Sequence, residues 1–196
     1  MNVLVLHAHP VPDSFSHAVR DTAVAAMERV GHTVTVVDLY AEDFEARMSL
    51  AERRAYHGDT PVIADDVARH AALVQAADAL VFVYPTWWFG LPAILLGWLD
   101  RVLVPGVGFV FDEDTGRPGP GLTNIRRIVG ISTYGSSWTY IKGVNDAGRR
   151  TLLRTVRMVS HRWCRTGWIA LYGADTADDA RRRRFLAEVD RRMARL

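Results

Sequence analysis

The stretch Ala79-Leu80-Val81-Phe82-Val83-Tyr84-Pro85-Thr86-Trp87-Trp88-Phe89-Gly90-Leu91-Pro92-Ala93-Ile94-Leu95-Leu96-Gly97-Trp98-Leu99 decides between two classes of protein. Its 21 residues carry no charge, enough for a membrane-spanning helix. Two interior prolines, Pro85 and Pro92, with Gly90 between them, argue against that reading. Each proline removes an amide donor and clashes with the turn before it, so one continuous helix would break twice. The stretch therefore divides into a buried strand over 79–83, a loop over 84–91 and a helix starting near Pro92. No membrane insertion is expected.

The same alternation extends in both directions. Towards the N-terminus, Val3–His7 is a short apolar run, and Ser14 precedes a helical period of Phe15, Ala18, Val19, Ala23, Ala26, Met27 and Val30. Gly31 ends that helix, a β-branched strand covers 33–37, and a second helix covers 65–77. Towards the C-terminus, the helix over 92–102 has Pro at its first turn. A strand over 126–131, a helix over 145–160, a strand over 168–172 and a final helix over 176–194 follow. Five parallel-type strands separated by helices predict an α/β doubly wound sheet with helices on both faces. Two long irregular insertions, 40–60 and 105–124, are candidate functional loops.

Composition narrows the class. A chain of 196 residues suits one domain over 1–196, with roughly 70% of its unfolded surface buried. The single cysteine, Cys164, excludes a disulfide framework and a Cys-rich metal site. With 49% hydrophobic and 23% charged residues, disorder is excluded. The run Val3-Leu4-Val5-Leu6 is too short for a signal peptide, so a cytoplasmic location is expected. Charge is uneven: residues 1–100 hold 6 Arg against 13 acids, net −7, while residues 101–196 hold 17 Arg and Lys142 against 9 acids, net +9. The basic half invites an anionic partner. A nucleic-acid-binding domain is one such reading, but no RRM, KH or helix-turn-helix pattern supports it.

Ligands of open α/β sheets bind beyond the carboxyl ends of the strands. The segment His7–Ser16 lacks both a GxGxxG turn and a P-loop lysine, yet it enters a helix whose free N–H groups attract anions. Ser14 and Ser16 offer hydroxyls and His9 a positive charge, but taken alone the loop reads more readily as a plain helix cap at Ser14 and a satisfied loop residue at His9. After the third strand, Trp87, Trp88 and Phe89 suit either core packing or a wall for a planar ligand. The loop over 132–140, with Gly135 and several hydroxyls, is expected to complete such a wall. No hydrolase or metal signature appears, and His7 with His9 is weak metal evidence, so no metal is expected. The Arg181–Arg184 run reads as a solvated helix face, with Asp178/Arg182 and Asp179/Arg183 as i,i+4 pairs.

His9-Pro10 through Ser14-Phe15-Ser16, and the long block from Pro85 through Val102, resemble the NAD(P)H:quinone oxidoreductase family, which is DT-diaphorase-like with a flavodoxin fold. The resemblance runs in order from Met1 to about Tyr172. It implies a flavin, FAD with FMN as the alternative. His9, Ser14, Phe15 and Ser16 would hold its phosphates, and Pro85, Thr86, Trp87, Trp88, Phe89 and Gly90 its ring. Thr133, Tyr134 and Gly135 would lie on the far side of the ring, with Tyr140 as the active-site tyrosine. It further implies hydride transfer from NAD(P)H to a quinone-like acceptor in ping-pong order, and a homodimer. Bacterial relatives that serve as ancillary subunits of potassium-efflux systems give the alternative role, with peripheral association to a transporter. Two departures stand out. Tyr134 replaces a glycine of the family's Thr-Thr-Gly-Gly loop, and no His occurs over 143–146, where the animal enzymes place one; Asn145 and Asp146 are the nearest substitutes.

Overall fold

The computed structural model describes residues 1–58, 61, 64–112 and 114–196. The chain runs β1 (Asn2–His7), α1 (Phe15–Arg29), β2 (Thr33–Asp38), α2 (Leu50–Ala55), α3 (Asp65–Ala76), β3 (Ala79–Pro85) and α4 (Ala93–Val102). It continues through β4 (Phe109–Phe111), β5 (Pro118–Pro120), β6 (Arg127–Tyr134), α5 (Trp138–Gly143), α6 (Ala147–Arg150), β7 (Arg165–Tyr172) and α7 (Asp179–Met193). Five strands pair in parallel in the order β2-β1-β3-β6-β7, the flavodoxin-like arrangement expected from the sequence. Strand alternation divides the core. Val3, Val5, Val81, Val83 and Ile131 face α1 and α7, while Leu4, Leu6, Leu80, Phe82 and Ile128 face α3 and α4. Each face is closed by helices, which is why the central strands read as unbroken apolar runs.

The structure corrects several boundaries. β3 continues through Tyr84 and Pro85, and β6 through Ser132, Thr133 and Tyr134, because the ladder pairs Tyr84 with Ser132 and Pro85 with Thr133. Candidate loop residues are thus held on strand ends. The expected helix over 145–160 begins at Ala147 and widens into a π-helix over Thr151–Val156. The short α5 precedes it, in a segment between the expected strand and helix for which the sequence predicts no element. Pro92 stands at the N-cap of α4 rather than in its first turn, and α7 starts at Asp179 behind its cap Asp178. The 105–124 insertion contains the antiparallel hairpin β4–β5. The 40–60 insertion contains α2, whose Ser49 and Glu52 form a capping box; residues 59 and 60 lie outside the described residues. The Ser-x-x-Glu spacing was visible in the sequence as a helix start. In α7, Asp178 accepts from the Arg181 amide, and Arg182 lies over the Phe15 ring, 5.8 Å away, so the arginine run does more than face solvent.

Arg101 ties the first insertion to α4. It is 5% exposed and donates to Glu52 Oε1 at 2.9 Å, to Asp66 Oδ2 at 3.1 Å and to the Glu45 carbonyl at 2.6 Å. A buried guanidinium needs such a full set of acceptors, since an unmatched buried charge is far costlier than the pair.

Candidate functional site

The parallel register of β1 and β2 places His7 opposite Asp38. His7 Nδ1 lies 3.0 Å from Asp38 Oδ2, and its Nε2 lies 3.2 Å from Ser16 Oγ. Arg20 Nη1 donates to the same Asp38 oxygen at 2.8 Å, and His17 Nε2 approaches it to 3.3 Å. Burial pushes His7 down to about 4, against the pull of Asp38. Burial works to raise the Asp38 carboxyl, but the bonds from His7 and the Ala41 amide, with the nearby histidines, hold it below the usual carboxylate range. At neutral pH His7 is therefore neutral, donates from Nδ1 to Asp38 and accepts the Ser16 hydroxyl at Nε2. The ligand-type atoms of His7, His17 and Asp38 lie within 4.8 Å of one another. Arg20 already supplies the positive charge at this carboxylate, so the cluster reads as a hydrogen-bond network.

This network corrects three expectations. The Ser16 hydroxyl points inward to His7, so what Ser16 offers a ligand is its backbone N–H. Ser14 stands at the N-cap, but its side chain makes no cap bond and meets His17 Nδ1 at 3.1 Å. Burial lowers the pKa of His9, so the loop offers a neutral ring rather than a charge; its Nδ1 lies 3.1 Å from the Val11 amide and 3.3 Å from the Val11 carbonyl. Among the described residues, the Phe15 and Ser16 amides have no partner in the chain, and the first turn carries no acid. Free amides at the start of a 15-residue helix form an anion site.

The aromatic loop forms a tight turn. Gly90 N donates to Trp87 O at 2.9 Å, and Trp88 and Phe89 between them have φ of 46° and 58°. Two positive values mark a type I′ turn, which favours Asn-Gly, so Trp-Phe contradicts local preference. Such strain persists where the surroundings impose it, and it collects at ligand sites. The core reading fails for Trp88, which is 97% exposed. Trp87 tilts against His9, with ring centroids 6.3 Å apart, and joins the first loop to the second. The Trp88 and Phe89 amides are unpartnered among the described residues.

Thr86, Trp88, Phe89, Tyr134, Gly135, Ser136 and Ile141 line an open cleft of about 160 Å³ beyond the strand ends. Thr86 is fixed by its amide bond to Thr133 O and its hydroxyl contact with Ser132 Oγ, both 2.8 Å. Pro85 and Thr133 face each other across the ladder beneath it. Tyr134 is buried, stacks on Tyr172 and donates its O–H to Asp146 Oδ2 at 2.8 Å; burial, then Asp146, push its pKa up. Gly135 lies against the Asp175 carboxylate, which a Cβ there would push aside. Tyr140 sits on α5, 58% exposed, with its ring 5.6 Å from Phe89. Asp146 is buried and taken by Tyr134, and Asn145 is exposed, so neither reproduces a free imidazole. Sequence reasoning weighed His7 only with His9 as weak metal evidence, and it missed His17 and Asp38 because it followed strands one, three and four; the end of β2, where Asp38 pairs with His7, was the overlooked signal.

A larger cavity of about 560 Å³ lies away from the strand ends, among Tyr56, Leu96, Leu103, Phe109, Thr155 and Val159. Its walls are mainly apolar. Among the described residues, no helix is long and apolar enough to cross a membrane.

Comparison with known proteins agrees with the fold. The family described as flavodoxin-like fold matches residues 1–195. Ribosyldihydronicotinamide dehydrogenase (quinone) of Homo sapiens is 35% identical over 163 residues, 75% of this chain and 70% of its own. The solved NAD(P)H:quinone oxidoreductase from Methanothermobacter marburgensis superposes with a TM-score of 0.83 at 27% identity, covering 99% of this chain and 98% of that one. An FMN-dependent NADH-azoreductase from Bacillus anthracis str. Ames Ancestor, solved with FMN, shares the fold with a TM-score of 0.76 at 19% identity, covering 99% and 98%.

Proposed function

The chain belongs to the flavodoxin-like fold family that matches residues 1–195, and from that membership we propose that it is a flavin-dependent NAD(P)H oxidoreductase acting on quinones or similar acceptors. One observation carries the reading: the start of α1 and the Trp88–Phe89 turn both carry unpartnered amides, in the loops that follow β1 and β3 and touch through His9 and Trp87. The first set suits a phosphate and the second the polar edge of a planar ring. When bound, the flavin supplies a centre that accepts hydride from the nicotinamide and passes it to the acceptor. The chain's own groups bind and orient: the amides of Phe15 and Ser16 with the His9 ring hold phosphate, and Thr86, Trp88, Phe89 and Gly90 bracket the ring. Tyr140, beside Phe89, donates its O–H to the negative charge that grows on reduction. FAD is the flavin proposed, and FMN is the result that would correct it. The regulatory-subunit alternative gains no support from these relatives.

Protein reconstituted with FAD or FMN is expected to show bands near ~375 and ~450 nm, typical of this cofactor class. Failure to bind either flavin at micromolar concentration overturns the reading. Donor and acceptor using one cleft in turn predicts parallel double-reciprocal plots; intersecting lines rule that out. Tyr140→Phe removes one hydrogen bond to a developing charge, about 1.5–3 kcal/mol. Flavin reduction should then slow roughly 10- to 150-fold; a rate within twofold removes Tyr140 from the chemistry. A homodimer belongs to the same proposal, with the apolar cavity beside α4 and the exposed Leu96 and Phe111 as its surface. Sedimentation at twice 21.9 kDa is the expected result.

A further inference from the structure

Beside the cleft lies a second pocket of about 290 Å³ of opposite character. Lys142, Arg149, Arg150 and Arg154 line it, with Asn145, Asp146 and Leu153. Among the described residues, none of the four cationic side chains forms an ion pair or a hydrogen bond within the chain. Lys142 and Arg149 instead lie over the rings of Trp138 and Trp168, at 5.0 and 5.9 Å. Asp146 is the one acid in the lining, and it is taken: Oδ2 accepts from Tyr134 and Oδ1 from the Arg149 amide. The carboxylate therefore leaves the guanidinium groups unmatched.

The backbone holds this arrangement against local preference. Asn145 and Asp146 both have positive φ, 68° and 35°, unusual for consecutive non-glycine residues. Arg150 and Arg154, four residues apart, bracket the start of a π-helix, a feature common at functional sites. Like charges at that spacing repel, a cost the free chain carries and a bound polyanion would remove.

We propose that this pocket binds the phosphate-bearing end of the nicotinamide donor, with the 2′-phosphate of NADPH as the group it selects. The inference rests on the oxidoreductase reading. The pocket and the cleft share α5, where Ile141 lines one and Lys142 the other, and they are joined by the Tyr134–Asp146 bond. Gly148 permits the contact: a Cβ there would stand 3.0 Å from the Gly90 carbonyl carbon, so α6 packs directly on the aromatic turn. A donor whose nicotinamide lies in the cleft therefore has the cationic pocket next to it, separate from the α1 amides assigned to the flavin. Guanidinium groups bind phosphate by paired, charge-assisted bonds, and a dianionic phosphate answers several of them together.

The test measures kcat/KM for NADPH and NADH at low and high salt, in the wild type and in Arg150→Met/Arg154→Met. NADPH is expected to be favoured at least tenfold at low salt, with the preference shrinking as salt rises. The double variant should bring the NADPH-to-NADH ratio within about threefold of one. Calorimetry with 2′,5′-ADP and 5′-AMP, on flavin-free and flavin-loaded protein, gives a readout independent of turnover: 2′,5′-ADP should bind tighter, and the double variant should erase the difference. A wild-type ratio near one that is indifferent to salt overturns the proposal. So does a variant that leaves the ratio intact, or one that weakens only an anionic quinone sulfonate, which would assign the pocket to the acceptor. Loss of the flavin spectrum would instead count against the oxidoreductase reading, and the 2′,5′-ADP comparison stands apart from it. The salt dependence of the wild type decides the matter even if the variant misfolds.

Discussion

Arg101 and Arg150 carry the same side chain in opposite circumstances. Arg101 is buried on α4, matched by Glu52, Asp66 and the Glu45 carbonyl, and it holds an insertion onto the sheet. Arg150 is exposed beside other cations in a pocket whose one carboxylate is engaged elsewhere. The network of His7, Asp38 and Arg20 belongs with Arg101: every charge there has its partner inside the fold. The difference separates charges that the fold uses from charges it leaves for a ligand. Full internal matching serves stability, and an unmatched cluster has its counter-charge still to come.

The largest break in this comparison is Arg101→Met. It leaves Glu52, 8% exposed, without its cation, and unfolding by denaturant should show a loss of about 3–5 kcal/mol. A loss under 1 kcal/mol would place Arg101 with the free cations. Adding Glu52→Gln should restore part of the loss.

Acid attacks the other matched network. The folded pKa of His7, about 4, lies below its ordinary value of 6.5. Above pH 6.5 both the folded and unfolded chains hold it neutral. Between 6.5 and 4 the unfolded chain takes a proton that the folded chain refuses, so stability falls with pH, by at most about 3 kcal/mol from this group. The lowered pKa of Asp38 adds a loss in the same direction as its carboxylate is protonated. Denaturation midpoints at pH 7.5 and 4.5 check this, and His7→Gln should flatten the slope. An unchanged slope in that variant would remove His7 as its source.

Tyr134→Phe sharpens the comparison from the middle. Removing the O–H takes a hydrogen bond from a buried carboxylate, about 1.5–3 kcal/mol. It also frees Asp146 to turn towards Arg149, so the preference for NADPH should decline along with stability. A fall in stability with the preference intact would show that Asp146 is not what keeps the pocket cationic. The smallest effect belongs to Arg150→Met, which should change stability by no more than about 0.5 kcal/mol. A larger loss would mean that Arg150 has a structural partner and does not contrast with Arg101.

The position of the candidate site is legible in the sequence. Pro85, Gly90 and Pro92 marked a loop at a strand end, and the structure places Thr86, Trp88 and Phe89 around one cleft with Tyr134 and Gly135. Ser14 marked the start of α1. What the residues do was less legible. The Ser16 hydroxyl belongs to His7, and His9 is kept neutral by burial, because each depends on surroundings that local pattern does not reveal. The positive φ of Trp88 and Phe89 runs against their own preferences, so no propensity argument reaches it.

The order of strands and helices, the apolar faces and the strand-end loops follow from periodicity and from Pro and Gly, which act over a few residues and are therefore read directly along the chain. The pairings came only with the tertiary structure. His7 meets Asp38 because the register of β1 on β2 puts them side by side. Arg101 meets Glu52 across 49 residues. Gly97, which helix propensity would replace with alanine, lacks a Cβ because the Ala46 backbone crosses α4 there. Asp146 turns to Tyr134 through a left-handed backbone, and that contact leaves the neighbouring arginines unmatched. Each of these is a contact between segments distant in sequence, and its partner is set by packing and register rather than by the identity of either residue alone.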